Sequence, residues 1–308
     1  MHAKGNVRRR ILDSLNKPRW LTAVLIGPIL TLFFSILLFP FLLEIYLSYT
    51  PWHPRLGDWW NAEFIGVENY VYLLTKDPRF LWSLARTGIF VIIVIFIEFG
   101  LGLLLATLFT RKFRFGEKRT IFTILLLPMM MMPIIVGYNF YMIFQPRGPL
   151  NYVLGLIIQQ PVEINWLNEP LLAWIALIVT DVWHWTPFMF LILLSGLISL
   201  PQNPIDAAKV LGATSWQIFK GIQLPMLRNI IIIALVIRAM EAKNFFDELF
   251  IMTRGGPGTA TENISMWTYQ FGAVNVRIGF SSAGAIIILI TTVLIISLAV
   301  RPIIRAMR

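Results

Sequence analysis

Six long runs of apolar residues, separated by shorter polar segments, form the main pattern of this chain. Each run reaches about 20 residues, the length that an α-helix needs to cross the apolar layer of a membrane. The first run is too long for a signal peptide and no small-x-small cleavage site follows it, so we expect an uncleaved first span. The pattern predicts an all-α integral membrane protein, with residues 1–308 as a single transmembrane domain. The predicted spans are 20–49, 87–110, 120–144, 171–199, 229–251 and 279–303.

Composition agrees with this fold and excludes several kinds of site. Hydrophobic residues make up 57% of the chain and charged residues 14%, whereas soluble domains have roughly 45–50% and 25%. The chain has no cysteine, which excludes disulfides and cysteine-based metal sites. His2, His53 and His184 are too far apart in sequence to predict a metal site. The run Gly255-Gly256-Pro257-Gly258 lacks the lysine and hydroxyl of a phosphate-binding loop, so no nucleotide site is predicted.

The positive charge is unevenly distributed between the two sides of the membrane. The net charge is +10. Seventeen lysines and arginines lie in the two terminal segments and in the loops after the second and fourth spans, against seven in the other loops. Cytoplasmic segments carry such an excess, so both termini and loop 200–228 are predicted to be cytoplasmic. The basic residues therefore indicate orientation, and nucleic acid is not a predicted partner.

Prolines interrupt several of the predicted spans. They are Pro28 and Pro40 in the first, Pro128 and Pro133 in the third, and Pro187 in the fourth. An internal proline removes a helical hydrogen bond and clashes with the preceding turn, which predicts kinks. Kinked spans require a packed bundle or a water-lined cavity to satisfy the freed carbonyl groups.

Segment 50–86 is rich in tryptophan and tyrosine and is predicted to lie outside the membrane. Such residues favour the lipid headgroup level, where they form a belt or short interfacial helices. They are equally suited to the docking surface of an external partner.

Loop 200–228 is predicted to contain two short helices joined by a tight turn. Asn203 is suited to cap a helix that begins at Pro204, and Asp206 falls at its third position. Gly212 is suited to stop that helix in a left-handed conformation.

A second start signal and a second stop signal follow in the same loop. Thr214-Ser215-Trp216-Gln217 is suited to begin another helix, and Gly221 is suited to end it. The pair of helices would present an apolar surface for docking, formed by Val210, Leu211, Trp216 and Phe219.

The same loop resembles the EAA motif of ATP-binding-cassette (ABC) importer permeases. The matching residues are Asp206-Ala207-Ala208, Gly212 and the distal Ile222-x-Leu224-Pro225, with Asp206 in place of the usual glutamate. The resemblance implies that the two helices couple the permease to a cleft of a cytoplasmic ATPase subunit. The residues implied in coupling are Asp206, Ala207, Ala208, Gly212, Ile222, Leu224 and Pro225.

Ionisable residues inside an apolar span are costly and indicate a functional or pairing role. The fifth span holds Arg238, Glu241, Lys243, Asp247 and Glu248. Arg238 and Glu241 share one helical face with residues 242, 245 and 249, and could pair with each other.

The fourth span places aromatic rings beside hydrogen-bonding groups, in Asp181, Trp183, His184, Trp185, Thr186 and Phe188. Such a combination is suited to hold a sugar, whose C–H faces pack on rings and whose hydroxyls need directional partners.

A further segment resembles carbohydrate-importer permeases of the maltose type. It comprises Phe246-Asp247 and Thr253-Arg254-Gly255-Gly256-Pro257, which is similar to the Thr-x-Gly-Gly-Pro segment of that family. The resemblance implies a sugar pocket between the fourth and fifth spans, with contacts at His184, Trp185, Phe188, Arg238, Glu241, Ala242 and Phe245.

The resemblance implies that the chain is a permease subunit of a type I ABC importer in a prokaryotic inner membrane, and not an enzyme. Its implied partners are a homologous permease, an ATPase dimer that binds ATP and Mg²⁺, an external solute-binding protein, membrane lipid and a sugar. Two alternatives are an ion-coupled secondary transporter, with Glu98, Asp181, Glu241 and Lys243 as a charge relay, and an importer of a polyol or sugar phosphate.

Overall fold

The computed structural model describes residues 18–112 and 115–306, and gives only the backbone at 18–23, 111–112, 115–119, 299–300 and 302–306. Helices make up most of the described residues, which contain no strand. In chain order the helices are α1 (Pro18–Phe33), α2 (Phe39–Ser48), α3 (Glu68–Thr75), α4 (Pro78–Lys112), α5 (Phe115–Leu126), α6 (Pro133–Ile143), α7 (Pro149–Ile158), α8 (Pro170–Ser199), α9 (Gln202–Val210), α10 (Ser215–Ile218), α11 (Leu224–Met226), α12 (Arg228–Lys243), α13 (Asp247–Met252), α14 (Ile264–Tyr269) and α15 (Ile278–Ala306).

One compact unit contains the described residues up to Val71 together with Phe271–Ile286. A π-helical turn, Phe34–Leu38, joins α1 to α2, and the two form the first long apolar helix. The side-chain amide of Asn69 donates hydrogen bonds to the carbonyls of Ser48 and Thr50, at 3.0 and 2.8 Å. These bonds fix the segment that follows α2.

The other unit contains Tyr72–Gln270 and the residues from Ile287 onward. Its central contact is between α4 and α8. A Cβ atom at Gly102 would lie 2.9 Å from both Cβ of Met189 and the backbone nitrogen of Phe190. Only glycine permits the two helices to approach so closely. Glu98 lies one turn before Gly102, so the same face brings its carboxylate against α8.

The third predicted span is not a continuous helix. It is divided into α5 and α6 by a 3₁₀ turn, Pro128–Met130, and by Met131 and Met132. Pro133 occupies the first turn of α6, where its missing N–H is tolerated. The predicted disruption at Pro128 and Pro133 is therefore a full break, whereas Pro28 and Pro187 lie inside continuous helices.

Because of this break, four helices of the described chain are long and apolar enough to cross a membrane: Val24–Ser48, Pro78–Thr110, Pro170–Ser199 and Ile278–Leu298. A bent pair, Ser215–Met226 and Arg228–Met252, brings the number to five if it is counted as one span. The basic residues at positions 1–17, Arg114 and Arg308, which helped to predict the orientation, lie outside the described residues.

Candidate functional site

The first helix of loop 200–228 starts earlier than predicted. α9 begins at Gln202, with Pro201 in the capping position and without a side-chain cap. The predicted Asn203 cap and Pro204 start are therefore wrong. Pro204 is the third helical residue, where a missing N–H still costs nothing because the first turn has no internal acceptors. Asp206 lies beyond the first turn and accepts a hydrogen bond from Lys209 at 2.7 Å.

The turn and the second helix start follow the prediction. Gly212 has a φ of +82°, in the left-handed region that favours glycine. Thr214 and Gln217 form a reciprocal capping box at the start of α10. Gly221, however, does not end the helix. It lies in a π-helical turn, Phe219–Gln223, that runs on into α11, and its φ is not positive.

The two short helices expose an apolar surface, which we call the coupling surface: Val210, Leu211, Trp216 and Phe219. Val210 and Leu211 are 87% and 86% exposed, and Trp216 is 67% exposed and stacked on Phe219. The opposite side is anchored, because Ile205 and Ile218 are buried in a core cluster with Leu227. The loop is thus held firmly from within and presents uncovered apolar side chains outward.

The residues of the EAA motif divide between these two sides. Ala208 and Ile222 pack against the same core cluster, and Leu224 is half-buried. Asp206, Ala207 and Pro225 are exposed. The motif therefore contributes both to the anchor of the loop and to its exposed side.

A cluster of charged residues lies inside the bundle, which we call the ion-pair cluster: Glu98, Asp181 and Arg238. Arg238 Nε donates to Glu98 Oε2 at 2.7 Å and Nη2 donates to Glu98 Oε1 at 2.9 Å. Nη2 also contacts Asp181 Oδ2. All three residues are at most 1% exposed. A buried guanidinium between two carboxylates links α4, α8 and α12, one helix for each residue.

Arg238 does not pair with Glu241, as the spacing within α12 suggested. Glu241 is exposed, and the guanidinium of Arg238 forms ion pairs with the carboxylates of Glu98 and Asp181 instead. Trp185 adds a cation–π contact, with its ring centroid 5.1 Å from Arg238 Cζ.

His184 forms a second polar link across the bundle. Its Nδ1 lies 3.0 Å from Glu248 Oε1, and its Nε2 lies 3.2 Å from the carbonyl oxygen of Met131. Met131 belongs to the break between α5 and α6, so its carbonyl has lost its helical partner. His184 therefore connects α8 with α13 and provides a hydrogen-bond partner for the Met131 carbonyl in the broken third span.

The predicted sugar contacts are only partly brought together. His184, Trp185 and Arg238 lie side by side, and Trp185 contacts Phe188 edge to face at 6.2 Å. The other predicted contacts lie elsewhere. Ala242 and Phe245 are buried in an apolar core cluster, where Phe245 stacks on Phe90. Glu241 is exposed.

The partners of Arg238 and His184 in this polar centre are three carboxylates, which the helical spacing alone did not identify: Glu98, Asp181 and Glu248. The signal for them was present, because each is a carboxylate inside an otherwise apolar run. Within the described ranges, no group of three His, Asp or Glu side chains is arranged to hold a metal ion.

Residues 98–308 match the family described as the binding-protein-dependent transport system inner membrane component. The chain belongs to this family. The permease is 31% identical to the trehalose/maltose transport system permease protein MalF of Thermococcus litoralis, over 80% of this chain and 85% of that protein. It is 29% identical to the trehalose transport system permease protein SugA of Mycobacterium tuberculosis, over 85% and 82%.

Solved structures show the same fold. The chain of a bacterial ABC transporter involved in the import of the acidic polysaccharide alginate superposes with a TM-score of 0.81 at 22% identity. The match covers 97% of the permease and all of that chain. These comparisons confirm the predicted type I permease of the maltose type. The permease is a transport subunit of the inner membrane and not an enzyme, and its importer depends on a binding protein.

Proposed function

We propose that the permease is one of two homologous membrane subunits that take up a sugar delivered by an external binding protein. Its named relatives include transporters of trehalose and maltose. In this proposal the whole chain is one transmembrane domain of six spans, with α5 and α6 together forming the broken third span. Both termini lie in the cytoplasm, as the excess of basic residues indicates.

The observation that carries the coupling part of the proposal is the coupling surface. Contiguous apolar side chains on a rigid, anchored loop indicate a protein-binding site. We infer that it docks into a cleft of an ATPase subunit, and that ATP and Mg²⁺ are bound there and not by this chain. Closure of the ATPase dimer on ATP would then move the loop, and with it the anchored spans, in a rocking motion of the bundle.

Asp206, Ala207, Ala208, Gly212, Ile222, Leu224 and Pro225 act in this coupling. His184, Trp185, Phe188, Arg238, Glu241, Ala242 and Phe245 line the sugar pathway. Because Ala242 and Phe245 are packed against apolar neighbours, they would reach the sugar only after the bundle has opened. Glu98 and Asp181 already bind the guanidinium of Arg238. Arg238 would therefore affect the sugar indirectly, by positioning the ring of Trp185.

The assembly and the energy source can be tested together. The tagged permease is purified from its native membrane and the co-purifying proteins are identified by mass spectrometry. We expect an ATPase, a second permease and a solute-binding protein. The complex in proteoliposomes should import the sugar that its binding protein carries only when both the binding protein and internal ATP are present. Uptake that collapses with an uncoupler at constant ATP would contradict the proposal.

The sugar pathway gives a separate prediction. Trp185→Ala should raise the KM for sugar uptake about tenfold, through the loss of an aromatic face worth about 1.4 kcal/mol. Assembly with the ATPase should be unchanged, because Trp185 lies about four helical turns before the coupling loop. The matched control is Trp183→Ala, because the ring of Trp183 lies on a different face of the helix and packs against Phe140. Unchanged kinetics in Trp185→Ala would remove this residue from the pathway.

A further inference from the structure

A second candidate site lies at the end of the permease opposite the coupling surface. It is a cavity of about 500 Å³, lined by the C-terminal part of α6, by residues 165–168 and by residues 251–257. Residues 165–168 come just before α8, whose other end leads into the coupling loop. A helix of 30 residues is about 45 Å long. The cavity therefore opens on the external side in the proposed orientation.

The lining combines aromatic faces with planar polar groups. Tyr138, Tyr141 and Trp166 provide rings, and Gln145, Asn165 and Asn168 provide amides that both donate and accept. This is the chemistry that a sugar ring needs, with C–H faces on the aromatic side chains and hydroxyls on the amides. Its volume lies within the range of small-molecule sites, about 300–1,000 Å³.

The Trp166 ring is held in place by a hydrogen-bond network that involves only the protein. Trp166 Nε1 donates to Asn151 Oδ1 at 2.9 Å. The Asn151 amide in turn donates to the carbonyls of Pro146 and Ile164, both at 2.9 Å. Asn151 is 1% exposed, so this network is protected from water and holds the indole ring in one orientation.

Arg254 is the one charged residue that lines the cavity among the described residues. Its φ is +51°, in the left-handed region that is unfavourable for an arginine. Hydrogen bonds hold it there, from Arg254 N to the Leu249 carbonyl at 3.0 Å and from Gly256 N to the Thr253 carbonyl at 2.8 Å. Its side chain is exposed and its Cζ lies 5.8 Å from the centroid of the Phe250 ring. None of the ion pairs in the described part of the chain includes it.

A strained backbone at a cavity is a reason to look for a functional role. Here the backbone places a guanidinium without an ionic partner at a cavity whose other lining residues are uncharged. A guanidinium is suited to bind a carboxylate through two parallel hydrogen bonds.

We propose that this cavity binds an acidic sugar, with the sugar ring against Trp166 and the tyrosines and its carboxylate on Arg254. The inference rests on the proposed function, because it gives the importer an external acceptor site distinct from the pathway at Trp185. The site would receive the cargo between its release from the binding protein and its entry into the bundle.

The test uses the assembled complex in lipid nanodiscs without the binding protein. Isothermal titration calorimetry compares a galacturonic acid disaccharide with maltose. The wild-type complex should bind the uronate about tenfold more tightly than maltose, and Arg254→Gln should abolish this difference. The uronate affinity should fall as salt is raised in the wild type but not in Arg254→Gln, because salt screens the exposed charge.

Arg147→Gln is the matched control, since Arg147 is 90% exposed in the same external region but lines a different groove. It should retain the preference for uronate. An equal loss in both variants would attribute the preference to general surface charge and overturn the site. Absence of uronate binding in the wild type would also overturn it, as would an unchanged preference for uronate in Arg254→Gln. ATP-dependent uptake by the same variants in proteoliposomes, with the binding protein added, would show that the importer itself is intact.

Discussion

Replacing Arg238 by methionine is expected to destabilise the permease by about 3–5 kcal/mol, which is the usual effect of removing one partner from a buried ion pair. The cost arises because Glu98 and Asp181 would be left without a counter-charge, and both are at most 1% exposed. Methionine fills a similar volume, so the change tests the charge and not the packing. We expect little folded complex to be recovered from membranes.

The measurement is the thermal unfolding of the purified complex, together with its yield by size-exclusion chromatography. Lys243→Met is the matched control, because it removes a positive charge from the same helix at a half-buried residue outside the ion-pair cluster. The triple variant Glu98→Gln, Asp181→Asn, Arg238→Met should recover much of the stability, since no charge remains buried. Equal stability of Arg238→Met and Lys243→Met would show that the cluster does not hold the bundle together.

Replacing Gly212 by leucine should abolish association with the ATPase and therefore ATP-driven uptake, while the permease still inserts into the membrane. A Cβ atom at Gly212 would meet no neighbour within 4 Å, so the effect comes from the backbone conformation and not from a clash. At a φ of +82°, a side chain is strained. The turn would rearrange and tilt α9 against α10, which displaces Leu211 and Trp216 from each other.

Gly221→Ala provides the control for this prediction. Gly221 lies in the same loop and also has open space around it, but its φ is not positive. It should therefore keep ATPase binding and uptake, whereas Gly212→Ala should weaken both. Co-purification of the ATPase with each tagged variant measures the association directly. Normal assembly and transport in Gly212→Leu would rule out the coupling role of the turn.

Local signals in the sequence predicted local structure well. The left-handed Gly212 and the capping box at Thr214 depend on residues within one turn, and both are confirmed. The predicted start of α9 at Pro204 was wrong because the helix already begins at Gln202, directly after Pro201, so that Asn203 is its second helical residue and not its cap. The prediction that Gly221 ends a helix was wrong, because a glycine stops a helix only where its backbone is left-handed, and that of Gly221 is not.

Contacts between distant residues could not be predicted in the same way. The charged face of α12 suggested a pair between Arg238 and Glu241, three residues apart. The observed partners of Arg238 lie 140 and 57 residues away, on α4 and α8. Helical periodicity says which face a residue occupies, but not which helix packs against that face. The close approach at Gly102, which brings Glu98 against α8, is likewise decided only in the folded bundle.

The broken third span shows a further limit of the pattern. Hydrophobicity marked 120–144 as one span, and the prolines indicated a disturbance within it. Whether Pro128 and Pro133 bend the helix or divide it depends on partners for the freed carbonyls. His184, from another helix, provides one of these partners at Met131. The outcome was therefore set by a residue more than 50 positions away.

The uncovered coupling surface has a consequence for the lifetime of the protein in the cell. A permease made without its ATPase would display Val210, Leu211 and Trp216 to the cytoplasm, where chaperones and proteases recognise such patches. Binding of a partner to the folded state alone shifts the balance away from degradation by mass action. We therefore expect the amount of permease in the membrane to follow the supply of its ATPase, so that surplus copies are removed and the two proteins accumulate in matched numbers.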